Sequence, residues 1–209
     1  MKFYDCASAP SPRRVRIFLA EKGVSLPTVQ VDLRSGEHLR PEFAKLNPWL
    51  TVPVIELDDG TTISEASACC RYLEEVYPEP PLLGRDAKEK ALIAMWDHHC
   101  EINGFLAVAE AFRNETKGMK GRALPGPVGY EQIPALAERG KARVGHFFQA
   151  LNERLGESPF VAGPNYSVAD ITAFVSVEFA GWAKLNPEDG HTDLRRWLEG
   201  MRARPGAAA

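Results

Sequence analysis

Cysteine is scarce in this 209-residue chain, and the four present, Cys6, Cys69, Cys70 and Cys100, are too few and too irregularly spaced for a disulfide framework. Reduced thiols fit a cytoplasmic protein. Long apolar runs are missing too: none approaches the roughly 20 residues that span a bilayer, and the opening "MKFYDCASAP" has no signal-peptide core. A membrane-bound protein is not expected. Nor is there an excess of one charge. Lys and Arg number 25 against 28 Asp and Glu, a formal net charge of −3, so no strong field draws the chain to nucleic acid. His98 and His99 have no metal-ligand spacing with another Cys or His, and no metal is expected.

What is present divides into two halves. "KFYD" alternates as a strand, "RRVRIFLAEKG" is an amphipathic helix that Gly23 ends, and "PTVQVDL" carries β-branched residues at alternate positions. "TVPVIELDDGTTIS" then makes a hairpin around Asp-Asp-Gly, and "EASACCRYLEEVY" has helical spacing. The order is strand, helix, strand, then hairpin and helix, over residues 1–78. Prolines 78, 80 and 81 mark residues 79–86 as a linker. From 87 to 209 only helical patterns occur, interrupted by the Gly- and Pro-rich "ETKGMKGRALPGPVG" and ending in "PGAAA", which is expected to fray. The fold class is α+β, a small mixed domain followed by an all-helical one.

Three stretches carry chemistry. Pro53 in "LTVPVIEL" stands just before a strand, either as an ordinary strand-start proline or with a cis bond that turns the Val52 amide and carbonyl outward. "ISEASA" places Glu65, Ala66 and Ser67 at a helix N-terminus, where unpaired N–H groups suit a carboxylate ligand. The alternative is that Ser64 and Ser67 only cap that helix. "SAPSPRRV" sets Ser11 where a cap belongs, with Pro12 as the first helical residue.

Together Tyr4–Gly23, "LNPWLTVPVIELDDGTTISEASACCRYLEEVYP" and "SPFVAGPNYSVADITAF" resemble the cytosolic glutathione S-transferases over essentially the whole chain. The resemblance implies a thioredoxin-like glutathione-binding domain, a helical second domain, a homodimer, and glutathione as co-substrate with no other cofactor. It implies that Pro53 is cis, that the Val52 backbone pairs with the cysteinyl part of glutathione, and that Glu65 with Ala66 and Ser67 holds the γ-glutamyl end. Ser167 and Asp170 resemble the family's buried capping box. "RSGEHLRPEF" resembles fungal and bacterial members in which a histidine reaches the glycyl end, making His38 either that residue or a solvated one. One arginine, Arg14 ahead of Arg13, should pack inside.

The sequence also departs from the family. Ala66 replaces the usual serine, and the customary catalytic Ser or Cys falls near Ala9 or Pro10, so this resembles an atypical type without it. The chemistry still needs a thiol that titrates near about 9 in water to ionise near neutrality, a shift costing about 1.4 to 2.7 kcal/mol. A hydroxyl donor or a helix N-terminus supplies that. Ser11 is the first candidate, or else a plain cap, and Ser8 is the second. Tyr4 is a third by type, though its strand points it toward the core. The electrophile, small and hydrophobic, is expected between the domains against Trp96, His99, Phe105, Phe112 and Arg113, residues that otherwise pack helices. Asp97 or Glu101 is a candidate to reach across a dimer to the glutamyl amine. Two other functions remain open: a thiol reductase or peroxidase using Cys6, and a glutathione transferase-like binding protein without catalysis.

Overall fold

The computed structural model describes residues 1–188 and 190–209. β1 (Lys2–Asp5) runs into α1 (Pro10–Glu21), and β2 (Thr28–Gln30) returns parallel to β1, with Phe3 opposite Thr28. After α2 (Pro41–Leu46) come β3 (Val54–Glu56) and β4 (Thr62–Ser64), antiparallel to one another around Gly60 at φ +84°, and then α3 (Ala66–Val76). The sheet order is β2-β1-β3-β4, with β1 and β3 antiparallel. This is the thioredoxin-like layout. Phe3, Val15, Phe18, Ile55 and Leu73 fill its core at 1% exposure or less.

The second domain is helical: α4 (Ala87–His99), a π-helical stretch Cys100–Phe105, α5 (Leu106–Glu115), α6 (Pro134–Glu157), α7 (Val168–Ala180) and α8 (Thr192–Arg202). α7 is buried along nearly its whole length, as its unbroken apolar composition dictates. Its start is fixed by Ser167 and Asp170. Asp170 accepts hydrogen bonds from Ser167 N (3.0 Å), Ser167 Oγ (3.2 Å), Val161 N (2.9 Å) and Trp197 Nε1 (3.2 Å). Four donors satisfy a fully buried carboxyl whose pKa burial raises to about 6. The pair is structural, as the resemblance implies.

α5 and α6 approach most closely at Gly140, where a Cβ would lie 2.6 Å from Ala111 N and 2.9 Å from Ala107 O. Alanine is the better helix former by about 1 kcal/mol, but here the clash falls on backbone and overpacking costs about 1–3 kcal/mol or more. Gly140→Ala is therefore expected to lower the thermal midpoint by several degrees; an unchanged or raised midpoint contradicts this close packing.

The two domains meet across α1. Buried Lys22 bridges Glu74 (2.5 Å) and donates to Pro80 O, while Glu74 accepts from Leu82 and Leu83 N–H, which pins residues 80–83 to the first domain. The end of the chain does not fray. Pro205–Ala208 form a 3-10 turn against α1, where Arg13 donates to Ala207 O (2.9 Å) and Arg204 pairs with Glu21 (2.6 Å).

Candidate active site

The loop from β1 to α1 is held from behind. Asp5, 1% exposed, accepts from Arg16 Nη1 (2.5 Å) and Gln30 Nε2 (2.7 Å). Arg16 also donates to the Cys6 and Ala7 carbonyls, and Gln30 receives Ala7 N–H. The loop delivers the chain to α1 in one fixed place.

That helix begins earlier than its sequence suggests. Its N-cap is Ala9, whose N–H goes to Cys6 O (2.8 Å), and Pro10 is the first helical residue. Ser11 therefore lies within the first turn and does not cap it. Proline lacks an N–H, so with Pro10 and Pro12 flanking it, Ser11 holds the one free amide of the first three helical residues. The positive end of the helix is concentrated on that residue.

The Ser11 hydroxyl is oriented from the second domain. Arg14, 5% exposed, donates Nη2 to Ser11 Oγ (3.1 Å) and Nη1 to Glu101 Oε1 (3.0 Å), and its guanidinium stacks 4.4 Å from the Phe105 ring centre. Glu101 and Phe105 both come from the π-helical stretch, whose wider turn is common at functional sites. A guanidinium has only donors, so Ser11 Oγ accepts from it and keeps its own proton to give elsewhere. Arg14 is the inward arginine that the resemblance implies; the sequence offered no sign of its link to Ser11.

The other predicted residues fall as follows. Ser8 is exposed, 3.5 Å from Cys6 Sγ. Tyr4 donates to Glu56 (2.7 Å), which turns its hydroxyl away from α1. The Val52–Pro53 peptide is cis, and Val52 packs in one apolar cluster with Cys6 and Ala9, so the cluster joins the first loop to the chain before β3. Glu65 precedes α3 at φ +70°, a left-handed conformation unusual for a side chain with a Cβ. Ala66 is buried and Ser67 half-buried in the first turn of α3, which carries no acidic residue and no side-chain cap. Neither serine caps it, and its first-turn amides stay free for an anion. His38 is half-buried in the 3-10 turn Glu37–Leu39, with Nδ1 fully enclosed and unbonded.

The residues expected to wall the electrophile fall in separate places. A cavity of about 600 Å³ opens between Ala7–Pro10 of the first loop and α7, where Val175 and Phe179 line it together with Trp182 of the 3-10 turn Gly181–Ala183, Arg13 and Ala207–Ala209. None of the five residues expected there lines it; Phe112 stands behind its wall, in ring contact with Phe179 (5.8 Å) and Trp182 (5.5 Å). Trp96 and His99 line a separate depression between α4 and α6, Phe105 lies against Arg14, and Arg113 turns to backbone carbonyls. Asp97 accepts from Thr172 (2.6 Å) and Glu101 pairs with Arg14, so both are engaged within their own chain.

Residues 9–76 match the family model "Glutathione S-transferase, N-terminal domain" and residues 95–205 match "Glutathione S-transferase, C-terminal domain". The chain belongs to the glutathione S-transferase family. Glutathione S-transferase 2 of Saccharomyces cerevisiae is 38% identical over 98% of this chain and 87% of its own length. The crystal structure of a glutathione S-transferase domain-containing protein from Marinobacter aquaeolei VT8 superposes with a TM-score of 0.92 at 39% identity, covering 99% of this chain and 100% of that one. The relationship extends to the Escherichia coli protein named Disulfide-bond oxidoreductase YfcG, 27% identical over 95% of this chain and 89% of its own. Reading this glutathione S-transferase as an enzyme agrees with its close relatives, and the thioredoxin-like plus helical architecture is the one the sequence implies.

Proposed function

We propose that this glutathione S-transferase ionises the glutathione thiol at Ser11 and adds the thiolate to a small hydrophobic electrophile held in the cavity beside the first loop. The observation that carries the reading is the Glu101–Arg14–Ser11 chain, because it leaves the Ser11 proton free at the one open amide of the α1 terminus. O–H and N–H donors then converge on one position, backed by a buried guanidinium, and all three stabilise a thiolate over a thiol. The missing customary serine at Ala9 or Pro10 is replaced in this way, and Ser8 is left a minor part at the exposed lip.

The remaining residues bind. Glu65 meets the γ-glutamyl ammonium, the Ala66 and Ser67 amides with the Ser67 hydroxyl take the glutamyl carboxylate, and the Val52 backbone pairs with the cysteinyl unit. His38 faces the glycyl end. Glutathione is the co-substrate. Phe179 and Trp182 suit a flat aromatic electrophile. The four free, buried cysteines fit the reducing cytoplasm. Exposed Leu92, Met95, Ile102 and Leu106 along one helical run support a homodimer.

A thiol reductase using Cys6 is the second reading, favoured by the relationship to YfcG. Cys6 is 8% exposed and packed with Val52 and Ala9, which argues against attack by its sulfur. Conjugation of glutathione to an activated aryl halide is therefore expected to be unchanged within about twofold in Cys6→Ser. A glutathione-dependent disulfide reduction that outpaces conjugation and vanishes in that variant overturns the transferase reading.

A further inference from the structure

The side-chain carboxylates that line the cavity beside the first loop each have a cation of their own. Asp5 pairs with Arg16 (2.5 Å), and Glu178 pairs with Arg202 (2.5 Å). Arg13 lines the same cavity, half-buried, and among the described residues it has no ion pair. Its hydrogen bond runs from Nη2 to the Ala207 carbonyl (2.9 Å), a neutral acceptor. The nearest charges act against each other, Glu178 attracting the guanidinium and Arg16 repelling it. A guanidinium carries five N–H donors in a planar fork, so most of the capacity of Arg13 is unused. A partly buried charge without a counter-ion is costly, and a carboxylate is the anion whose two oxygens match the fork.

The guanidinium is also fixed in position. It sits 5.2 Å from the ring centre of buried Phe174 on α7, while Ala207 O holds Nη2. The aromatic part of the cavity stands on the same side: Phe179, further along α7, meets Trp182 edge-on, with ring centres 5.3 Å apart and planes at 89°. Pro10 and Arg13 both line the cavity from α1. Three residues apart, they share one face of the helix and are separated by about 4.5 Å along its axis. An aromatic ring whose reacting carbon lies at the helix start therefore has to span only about one turn for a substituent on its far side to come within reach of the Arg13 side chain.

We propose that Arg13 determines specificity in the electrophile cavity by receiving a carboxylate carried on an aromatic ring, opposite the carbon that the glutathione thiolate attacks. The inference rests on the transferase reading above and names the substrate class of that cavity, an aryl halide bearing an acid group. In the reaction the thiolate forms a carbon–sulfur bond as the halide leaves; the carboxylate held by Arg13 orients the ring and takes no part in bond making.

The test measures kcat/KM of the full chain for two aryl chlorides at fixed glutathione: a chloronitrobenzoate with its carboxylate para to the chlorine, and the corresponding benzamide. Each value is divided by the rate of the uncatalysed reaction of that compound with glutathione. The parent is expected to favour the acid about tenfold or more. Arg13→Gln, which retains an N–H donor for Ala207 O, should bring the ratio close to one. Arg13→Lys keeps the charge without the fork and should restore part of the preference. A role of Arg13 confined to securing the chain end would lower both activities together and leave their ratio unchanged. Equal use of acid and amide by the parent, or an unchanged ratio in Arg13→Gln, overturns the assignment. If neither compound is turned over, the transferase reading itself fails, and calorimetric titration with nitrobenzoate and nitrobenzamide then tests Arg13 alone. Acid bound about tenfold more tightly by the parent and not by Arg13→Gln supports the site, and equal binding of the two by the parent overturns it.

Discussion

Replacing Ser11 by alanine is expected to lower kcat/KM about tenfold to hundredfold near neutral pH, and to leave it nearly unchanged at a pH above the free thiol pKa of about 9. The sign follows from what the residue stabilises. Ser11 favours the thiolate, so in the parent the rate rises with pH through a lowered bound-thiol pKa. Without the hydroxyl, that rise moves toward the pKa of glutathione in water, and the two profiles converge once both thiols are ionised. The variant keeps its amide at the α1 terminus, so part of the shift survives and the loss stays short of complete. KM for glutathione should change little, because the hydroxyl distinguishes two protonation states of one bound ligand. An equal depression at every pH would mean that Ser11 only positions Arg14, with which it shares a 3.1 Å hydrogen bond.

Glu65→Ala is expected to act on the other kinetic constant, raising KM for glutathione about tenfold to hundredfold with kcat changed a few-fold at most. Glu65 is an exposed carboxylate at φ +70°, directly before the first turn of α3, and among the described residues no hydrogen bond to its side chain repays that conformation, which suits the proposed contact with the γ-glutamyl ammonium. Glu65→Gln keeps an acceptor for the glutamyl ammonium but loses its charge, and should fall between the two. Steady-state kinetics over a range of glutathione concentrations check both. A fall in kcat with constant KM would move Glu65 from binding to chemistry.

The parts of the structure that local rules govern were legible from the sequence. Alternation in "KFYD" and "PTVQVDL", the stop at Gly23 and the Asp-Asp-Gly hairpin give the order of the first domain, and Ser167 with Asp170 marks the start of α7. α2 escaped notice because six residues, Pro41–Leu46, are fewer than two helical turns and show no period. At Ser11 two local rules competed: a serine favours the cap, but Pro10 also favours the first helical position, and the chain takes the latter. What remained hidden depends on packing between distant segments. The cavity wall comes from α7 and the chain end because of how the helices cross, and Trp96 and His99 face away although they share a helix with buried Ile93. Arg14 could be placed inside, yet its partner Glu101 lies 87 positions on, in a π-helical turn with no sequence mark.

The most direct measurement is a pH titration of the ultraviolet thiolate absorbance of glutathione bound to the parent protein. The bound thiol is expected to titrate about one to two units below its value in water, the shift proposed for the Ser11 hydroxyl, its amide and buried Arg14. Glutathione that binds and titrates at its free value would contradict it, and would leave a protein that holds the tripeptide without activating it.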